Sequence, residues 1–463
     1  MNFSQGKKFI ILFVLIIILS VPVSAQELTL NDCIQLALKN RASIISARGL
    51  EDLAKANKRS ALGAFLPNIS ASYRYNKGKE TDIDPATQRA TAYDSIITTS
   101  IINNDTAKDL YVFPSAFNIV DEQDVGPSKS LNVSGSISVF NLGNWFNLFE
   151  AKANKEAARL DVINSEQNLI YSVKLSYYAY LASVQNVDVQ KQAVARSEEQ
   201  LKLIQSRYDL GSASLSDVLK QKVQYGNDKL TFLKAKNAVV TTNASLAYTI
   251  GIDPNSEVEF SKDYISREFQ GTVLDATKFG LEHEPGLLSA TKELEASKHN
   301  VRSNYSSYIP TISAFYNFNK FTGTQAFPIV FDYSSITKTY GFSISWNIFD
   351  GFFRERQLTS AKVRRNNAFA NLADTKNLVS RDIKTAYFEI EQQKEAKKVA
   401  GENVEAANED LKITQEKYNL GAATILDLLD AQVSLKQAQV SLIQADFDLN
   451  LTIAKLENAM GKI

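Results

Sequence analysis

The sequence predicts an exported α+β membrane protein of two tandem repeats, each supplying long helices and two strands of membrane-crossing length. Three observations predict it: an N-terminal export signal, a self-match of the chain at fixed offsets, and strict apolar-polar alternation in four short segments. The chain has 463 residues with 51 basic against 51 acidic side chains, which leaves no basic footprint for nucleic acid. Its single cysteine excludes an internal disulfide or a cysteine-rich metal site.

The export signal occupies residues 1–25. Lys7 and Lys8 precede the apolar run Phe9 to Leu19, and Val23-Ser24-Ala25 supplies the small-residue cleavage pattern. Cys33 lies past that cut, so it is not a lipid-bearing first residue and reads as a small buried thiol on a helix. After residue 25 no segment reaches the roughly 18 to 20 consecutive apolar residues of a spanning helix. Any membrane crossing must therefore use strands.

Residues 128–253 and 329–463 contain no proline and are dense in Ala, Gln, Lys, Glu and Leu. Apolar residues recur there at helical spacing, as in Leu160, Ile163, Ile170, Val173, Tyr177, Leu181 and Val184. Self-comparison is more specific: Arg207-Tyr208-Asp209-Leu210-Gly211 returns as Lys417-Tyr418-Asn419-Leu420-Gly421, at an offset of 210 that also relates Asp217 to Asp427. Upstream, Thr29, Asp32, Pro67 and Tyr73 match Thr272, Asp275, Pro310 and Tyr316 at an offset of 243. The first repeat thus spans 26–251, an inter-repeat segment 252–272, and the second repeat 273–463. The change of offset places a longer surface loop, 77–130, in the first copy.

Alternation flanks that loop in both copies. Ile69, Ala71, Tyr73 and Tyr75 alternate with polar residues, as do Leu131, Val133, Ile137 and Val139. The second copy repeats this with Ile312, Ala314, Tyr316 and Phe318, then with Tyr340, Phe342, Ile344, Trp346 and Ile348. Each run is about ten residues, the length of a tilted membrane strand. Helices are expected at 30–63, 145–208 and 214–250, about 51, 96 and 55 Å long, so that two short helices end to end equal one long one.

A sheet edge left open in hydrocarbon strands backbone N–H and C=O groups at several kcal/mol each, so a membrane sheet must close on itself. Four strands are too few to close around a conduit, which makes oligomerisation a requirement. Three copies would give a twelve-stranded barrel; two or four are not excluded by this reasoning alone. The polar strand faces would line the lumen. Trp145, Phe146, Phe149, Phe349, Phe352 and Phe353 follow the strands and fit an interfacial belt, or ordinary helix packing.

The chain resembles the TolC-like outer membrane efflux factors across its mature length. The resemblance rests on the two repeats, on the strand starts at Leu66-Pro67 and Ile309-Pro310, on Phe349-Asp350-Gly351, and on the signature running from Tyr418 through Leu420-Gly421-Ala422 to Asp427 and Asp430. It implies a homotrimer whose twelve-stranded outer-membrane barrel is continued by a long helical periplasmic tunnel. It also implies a passive exit duct in a tripartite efflux or type I secretion system, with a periplasmic adaptor and an inner-membrane pump as partners and outer-membrane lipid around the barrel. By the same likeness the Leu210-Gly211-Ser212 and Leu420-Gly421-Ala422 turns are adaptor-docking tips. Asp427 and Asp430 form the entrance constriction, and Asp217 and Tyr418 are gate contacts. Asp427 and Asp430 lie three apart and share a helix face; at about 8 Å and an effective dielectric of about 20, each like-charge pair in a ring repels by roughly 2 kcal/mol. Ala423 stands where similar proteins carry a basic residue; Lys417 and Arg207 are the candidates to take its part, and each equally fits a helix-end charge complementing the dipole.

No P-loop, G-x-G-x-x-G or H-E-x-x-H pattern occurs; His283-Glu284 begins the last, but residue 287 is Leu. No catalytic, metal or cofactor site is expected, and His283 and His299 read as surface helix residues. The alternative reading is an exported coiled-coil scaffold or adhesion protein without a pore. It accounts for the helices but not for the four alternating segments.

Overall fold

The computed structural model describes residues 27–80, 123–256, 258–262, 269–325 and 331–462. The expected export signal and the middle of the first-copy loop lie outside the described residues. The elements run α1 (Leu30–Asn40), α2 (Ala42–Gly63), β1 (Asn68–Glu80), β2 (Gln123–Phe140), α3 (Leu142–Asp209) and α4 (Leu215–Ile250). They continue α5 (Val273–His283), α6 (Pro285–Ser306), β3 (Thr311–Gln325), β4 (Phe331–Ser345), α7 (Phe353–Asn419) and α8 (Ile425–Ala459). The chain divides into two units, 1–58, 149–301 and 359–463 against 59–148 and 302–358; the described residues of the first are mainly helical and those of the second contain the sheet.

In the helical unit four helices start on the same device. Thr29, Ser214, Thr272 and Thr424 are N-caps whose hydroxyls accept from the backbone N–H of Asp32, Asp217, Asp275 and Asp427 three residues on. In three of them the aspartate reaches back to the cap's own N–H, closing a capping box. The helix expected over 30–63 is in fact two. Arg41 leaves the helical region at φ −71°, ψ 129°, and its guanidinium donates to the Tyr248 carbonyl at 3.0 Å while lying 4.7 Å from the Tyr248 ring centroid. The second copy breaks at Glu284, where the following Pro285 disfavours a helical residue before it.

Helix faces then bury Ile44, Val173, Tyr177, Leu246 and Phe260 around Cys33, which is fully buried with its thiol pushed up to about 12, first by desolvation and then by the charge of Asp32. A second cluster gathers Leu287, Ile383, Ile390, Ile453, Leu456 and Met460. His299 is half-buried and tilted against Phe149 with ring centroids 5.4 Å apart, which corrects the expectation of a surface residue; His283 is exposed.

The sheet unit holds four antiparallel strands in the order β1-β2-β3-β4, leaving β1 and β4 as its two edges. The register sets Ile69, Gly135, Tyr316 and Tyr340 in one row and Ser70, Ser134, Asn317 and Thr339 in the next, so one face is mainly apolar and the other mainly polar, with Phe315, Phe321 and Tyr333 interrupting the polar one. Ser70 and Ser134 hydroxyls meet at 2.7 Å on the polar face. The strands have 13, 18, 15 and 15 residues, longer than the alternation suggested, and the loop expected at 77–130 is correspondingly shorter at both ends. Ladder pairing continues where the hydrophobic pattern stops, because backbone bonds do not need an apolar face.

The alternation that continued to Ile348 misplaced the end of β4, which is Ser345. Arg354 explains the stop. Its guanidinium takes the Asn347 and Ile348 carbonyls at 2.8 and 2.9 Å, pairs with Asp350 at 3.1 Å and lies 4.7 Å from the Tyr308 ring centroid. Both charged side chains of the pair are nearly buried, and Phe352 is held at φ 66° beside them. Arg354→Ala is expected to destabilise this unit by about 2–3 kcal/mol, the scale for losing bonds to a charged group, and Arg354→Lys to recover only part because it lacks the planar fork. Tryptophan fluorescence during denaturation checks this, since Trp145 and Trp346 both lie in this unit.

Candidate functional site

The two turns named from sequence cap the ends of α3 and α7. Gly211 and Gly421 sit at φ 78° and 75°, a left-handed conformation that suits glycine. Around them Gly211 N and Ser212 N donate to Tyr208 and Arg207 carbonyls at 2.8 Å, and Gly421 N and Ala422 N donate to Tyr418 and Lys417 carbonyls at 3.1 and 2.8 Å. This pair of bonds ends a helix and reverses the chain. Leu210 and Leu420, 83% and 85% exposed, are left apolar and uncovered at the tips.

Behind the turns, Ile204, Val218, Tyr418, Ile425, Leu428 and Leu429 pack into one cluster that joins the α3–α4 and α7–α8 hairpins. Tyr418 is buried in it. Desolvation raises its phenol above the ordinary range and the nearby Asp217 charge adds to this, while Arg207 acts the other way through its charge and a hydrogen bond. Arg207 lies 5.3 Å from the Tyr418 ring centroid and donates to Asn419 Oδ1 at 3.0 Å. Of the two basic residues offered in place of the one that Ala423 replaces, Arg207 meets Tyr418 and Lys417 stays exposed. The Asp217 charge thus acts on the Tyr418 phenol, but among the described residues no hydrogen bond joins the two; Asp217 Oδ2 accepts from Ser214 N at 3.2 Å.

Asp427 and Asp430 are both exposed on the first turns of α8. Asp427 also serves the helix: Thr424 N and Oγ1 each donate to its Oδ2 at 2.7 Å, which holds its carboxyl below the usual carboxylate range. The constriction expected from sequence would therefore share one of its carboxylates with a cap.

Sequence reasoning missed the charges further along the hairpins. Asp228 of α4 is 4% exposed, accepts Lys436 Nζ of α8 at 2.8 Å, and takes Gln224 Nε2 on both oxygens at 3.1 Å. Arg196 of α3 shares this environment: burial pushes it down and the Asp228 charge opposes that. The two partners are 208 residues apart, a distance over which no local pattern signals a pair. Among the described residues, no group of three or more His, Cys, Asp or Glu is placed to hold a metal, and no helix is long and apolar enough to cross a membrane.

The model of the outer membrane efflux protein family matches residues 122–251 and 280–462. Outer membrane efflux protein BepC of Brucella suis biovar 1 is 23% identical over 445 residues, covering 94% of this chain and 86% of that protein. Outer membrane protein TolC of Vibrio cholerae is 22% identical over 412 residues, covering 84% and 90%. Among solved structures, the outer membrane protein VceC of Vibrio cholerae superposes with a TM-score of 0.74 at 19% identity over 93% of this chain and 96% of that one. The CmeC outer membrane channel of Campylobacter jejuni gives 0.76 at 16% identity over 94% and 85%.

Proposed function

The chain belongs to the outer membrane efflux protein family, and from that premise we propose that three copies form a passive exit duct. The duct is the outermost part of a tripartite efflux or type I secretion system, fed by an inner-membrane pump through a periplasmic adaptor. One observation carries the reading: a four-stranded sheet with an apolar face and two open edges, which cannot be satisfied in lipid by a single copy. Twelve strands from three copies remove the edges, and the polar faces carrying Ser70, Ser134, Asn317 and Thr339 line the bore. A pore-free scaffold would have no use for such a sheet. The chain's own part in this reading is geometric; its sequence carries no P-loop pattern.

In this reading Leu210-Gly211-Ser212 and Leu420-Gly421-Ala422 present exposed apolar tips to the adaptor, Arg207, Tyr418 and Asp217 hold the hairpins at the entrance, and Asp427 and Asp430 form rings that attract cations.

The test is single-channel recording in planar bilayers. Purified protein should conduct as a trimer and be blocked from the entrance side by multivalent cations; an absence of conductance overturns the duct. Asp427→Ala plus Asp430→Ala should remove the block, and an unchanged block refutes the ring. Thr424→Ala loses the cap but keeps both carboxylates, so it should retain the block. The pH dependence has a definite sign. Asp427 titrates lower in the folded chain than unfolded, so its cap contributes fully above the ordinary carboxylate range and is lost as pH falls through the folded value.

A further inference from the structure

On every strand a lysine follows the continuous apolar run of the sheet's apolar face. Moving away from the helices, that face carries Tyr75, Leu131, Phe318 and Tyr340, and two residues further along each strand come Lys77, Lys129, Lys320 and Lys338; on β4 Ile336 follows its lysine on the same face, and Lys77 sits at a ladder irregularity. The register shows that the four belong to one line. Lys129 pairs with Tyr75, two residues short of Lys77; Leu131 pairs with Lys320; and Phe318 pairs with Lys338. Each strand is therefore displaced by two residues from its neighbour, and the apolar band beneath is displaced in the same direction by the same step. Strands of a membrane barrel are tilted, so a level line around the barrel must climb the ladder diagonally. The apolar band marks the level of hydrocarbon, and the lysine line runs parallel to it at its upper boundary. All four ammonium groups are exposed, and among the described residues no carboxylate pairs with any of them.

We propose that this line is a binding surface for the anionic phosphate headgroups of the membrane leaflet farther from the helices. The inference rests on the barrel reading above. With three copies it becomes a collar of twelve ammonium groups, one per strand. The charge complementarity is direct: an ammonium at the edge of hydrocarbon, with an aliphatic stem able to lie along the apolar band, meets the layer where lipid phosphates reside. The register separates this arrangement from a scatter of surface lysines, since solubility alone requires neither a lysine just beyond the apolar run of every strand nor a constant two-residue step from strand to strand.

Spin-labelled phosphatidylglycerol and phosphatidylcholine, compared around the full chain in phosphatidylcholine vesicles, test it. The wild type should favour phosphatidylglycerol about fivefold, a preference that fades with salt. Lys77→Gln, Lys129→Gln, Lys320→Gln and Lys338→Gln combined should bring the ratio close to one. The four Lys→Arg changes, and four Lys→Gln changes on the helices at Lys202, Lys220, Lys234 and Lys412, should leave it intact. If the quadruple Gln variant keeps the preference, or the wild type inserts without showing one, the lipid collar is refuted while the barrel stands. If the wild type does not enter vesicles at all, both readings fall.

Discussion

Lys436→Met is expected to destabilise the helical unit by about 3–5 kcal/mol, the scale for stranding one partner of a buried ion pair. Asp228 is 4% exposed, and without the ammonium its carboxylate would keep only the Gln224 amide as a close hydrogen-bond donor. Asp228→Asn should cost less, because the Lys436 side chain is 20% exposed and reaches water more readily. The double change Asp228→Leu with Lys436→Met should fall well short of the sum of the two, because both charges of the pair leave together, but stop short of neutrality, because Arg196 then loses the Asp228 charge that offsets its burial. Helical circular dichroism during urea denaturation measures all three. A loss below about 1 kcal/mol for Lys436→Met, or simple additivity in the double variant, would show that the pair is not a buried tie between the hairpins.

Gly421→Lys is expected to abolish export while leaving assembled protein in the membrane. The reason is conformational as much as electrostatic. Gly421 has φ 75° and open space where a Cβ would go, so no clash arises, but a lysine must adopt the left-handed region at about 1–2 kcal/mol or reshape the turn. The bonds from Gly421 N and Ala422 N that close the end of α7 are then at risk, and a charge is placed beside exposed Leu420 on a surface read as a docking tip. Gly421→Asn separates the two causes: asparagine tolerates this conformation and adds no charge, so export should survive. Secretion assays with membrane fractionation report both quantities. Normal export by the lysine variant would remove the tip from the docking surface.

Much of the fold is legible because each element announces its own period. Ile69, Ala71, Tyr73 and Tyr75 alternate as only a two-faced strand requires, and the proline-free stretches have nowhere to break. What was hidden depends on contacts between distant residues. Nothing local at Arg41 ends a helix; the break accompanies a bond to the Tyr248 carbonyl more than two hundred residues away. The strand ends were misjudged because ladder bonds outlast the apolar pattern on one side and Arg354 removes two carbonyls on the other. Among the site residues, the motif named Tyr418, Asp427 and the glycine turns. Pattern alone did not reveal that Asp427 doubles as a cap acceptor, or that Arg207 covers Tyr418, because each follows from how hairpins meet.

The two bare margins of the sheet also bear on heredity. If three copies close the barrel as proposed, a copy whose β4 margin cannot pair would still offer an intact β1 margin to a healthy sister, and would enter the ring and leave a gap that no third member can seal. Where good and bad copies are made together, most rings contain at least one bad member. A lesion there should therefore behave as a dominant poison, whereas one that prevents the chain from folding at all removes it from the pool and harms only itself.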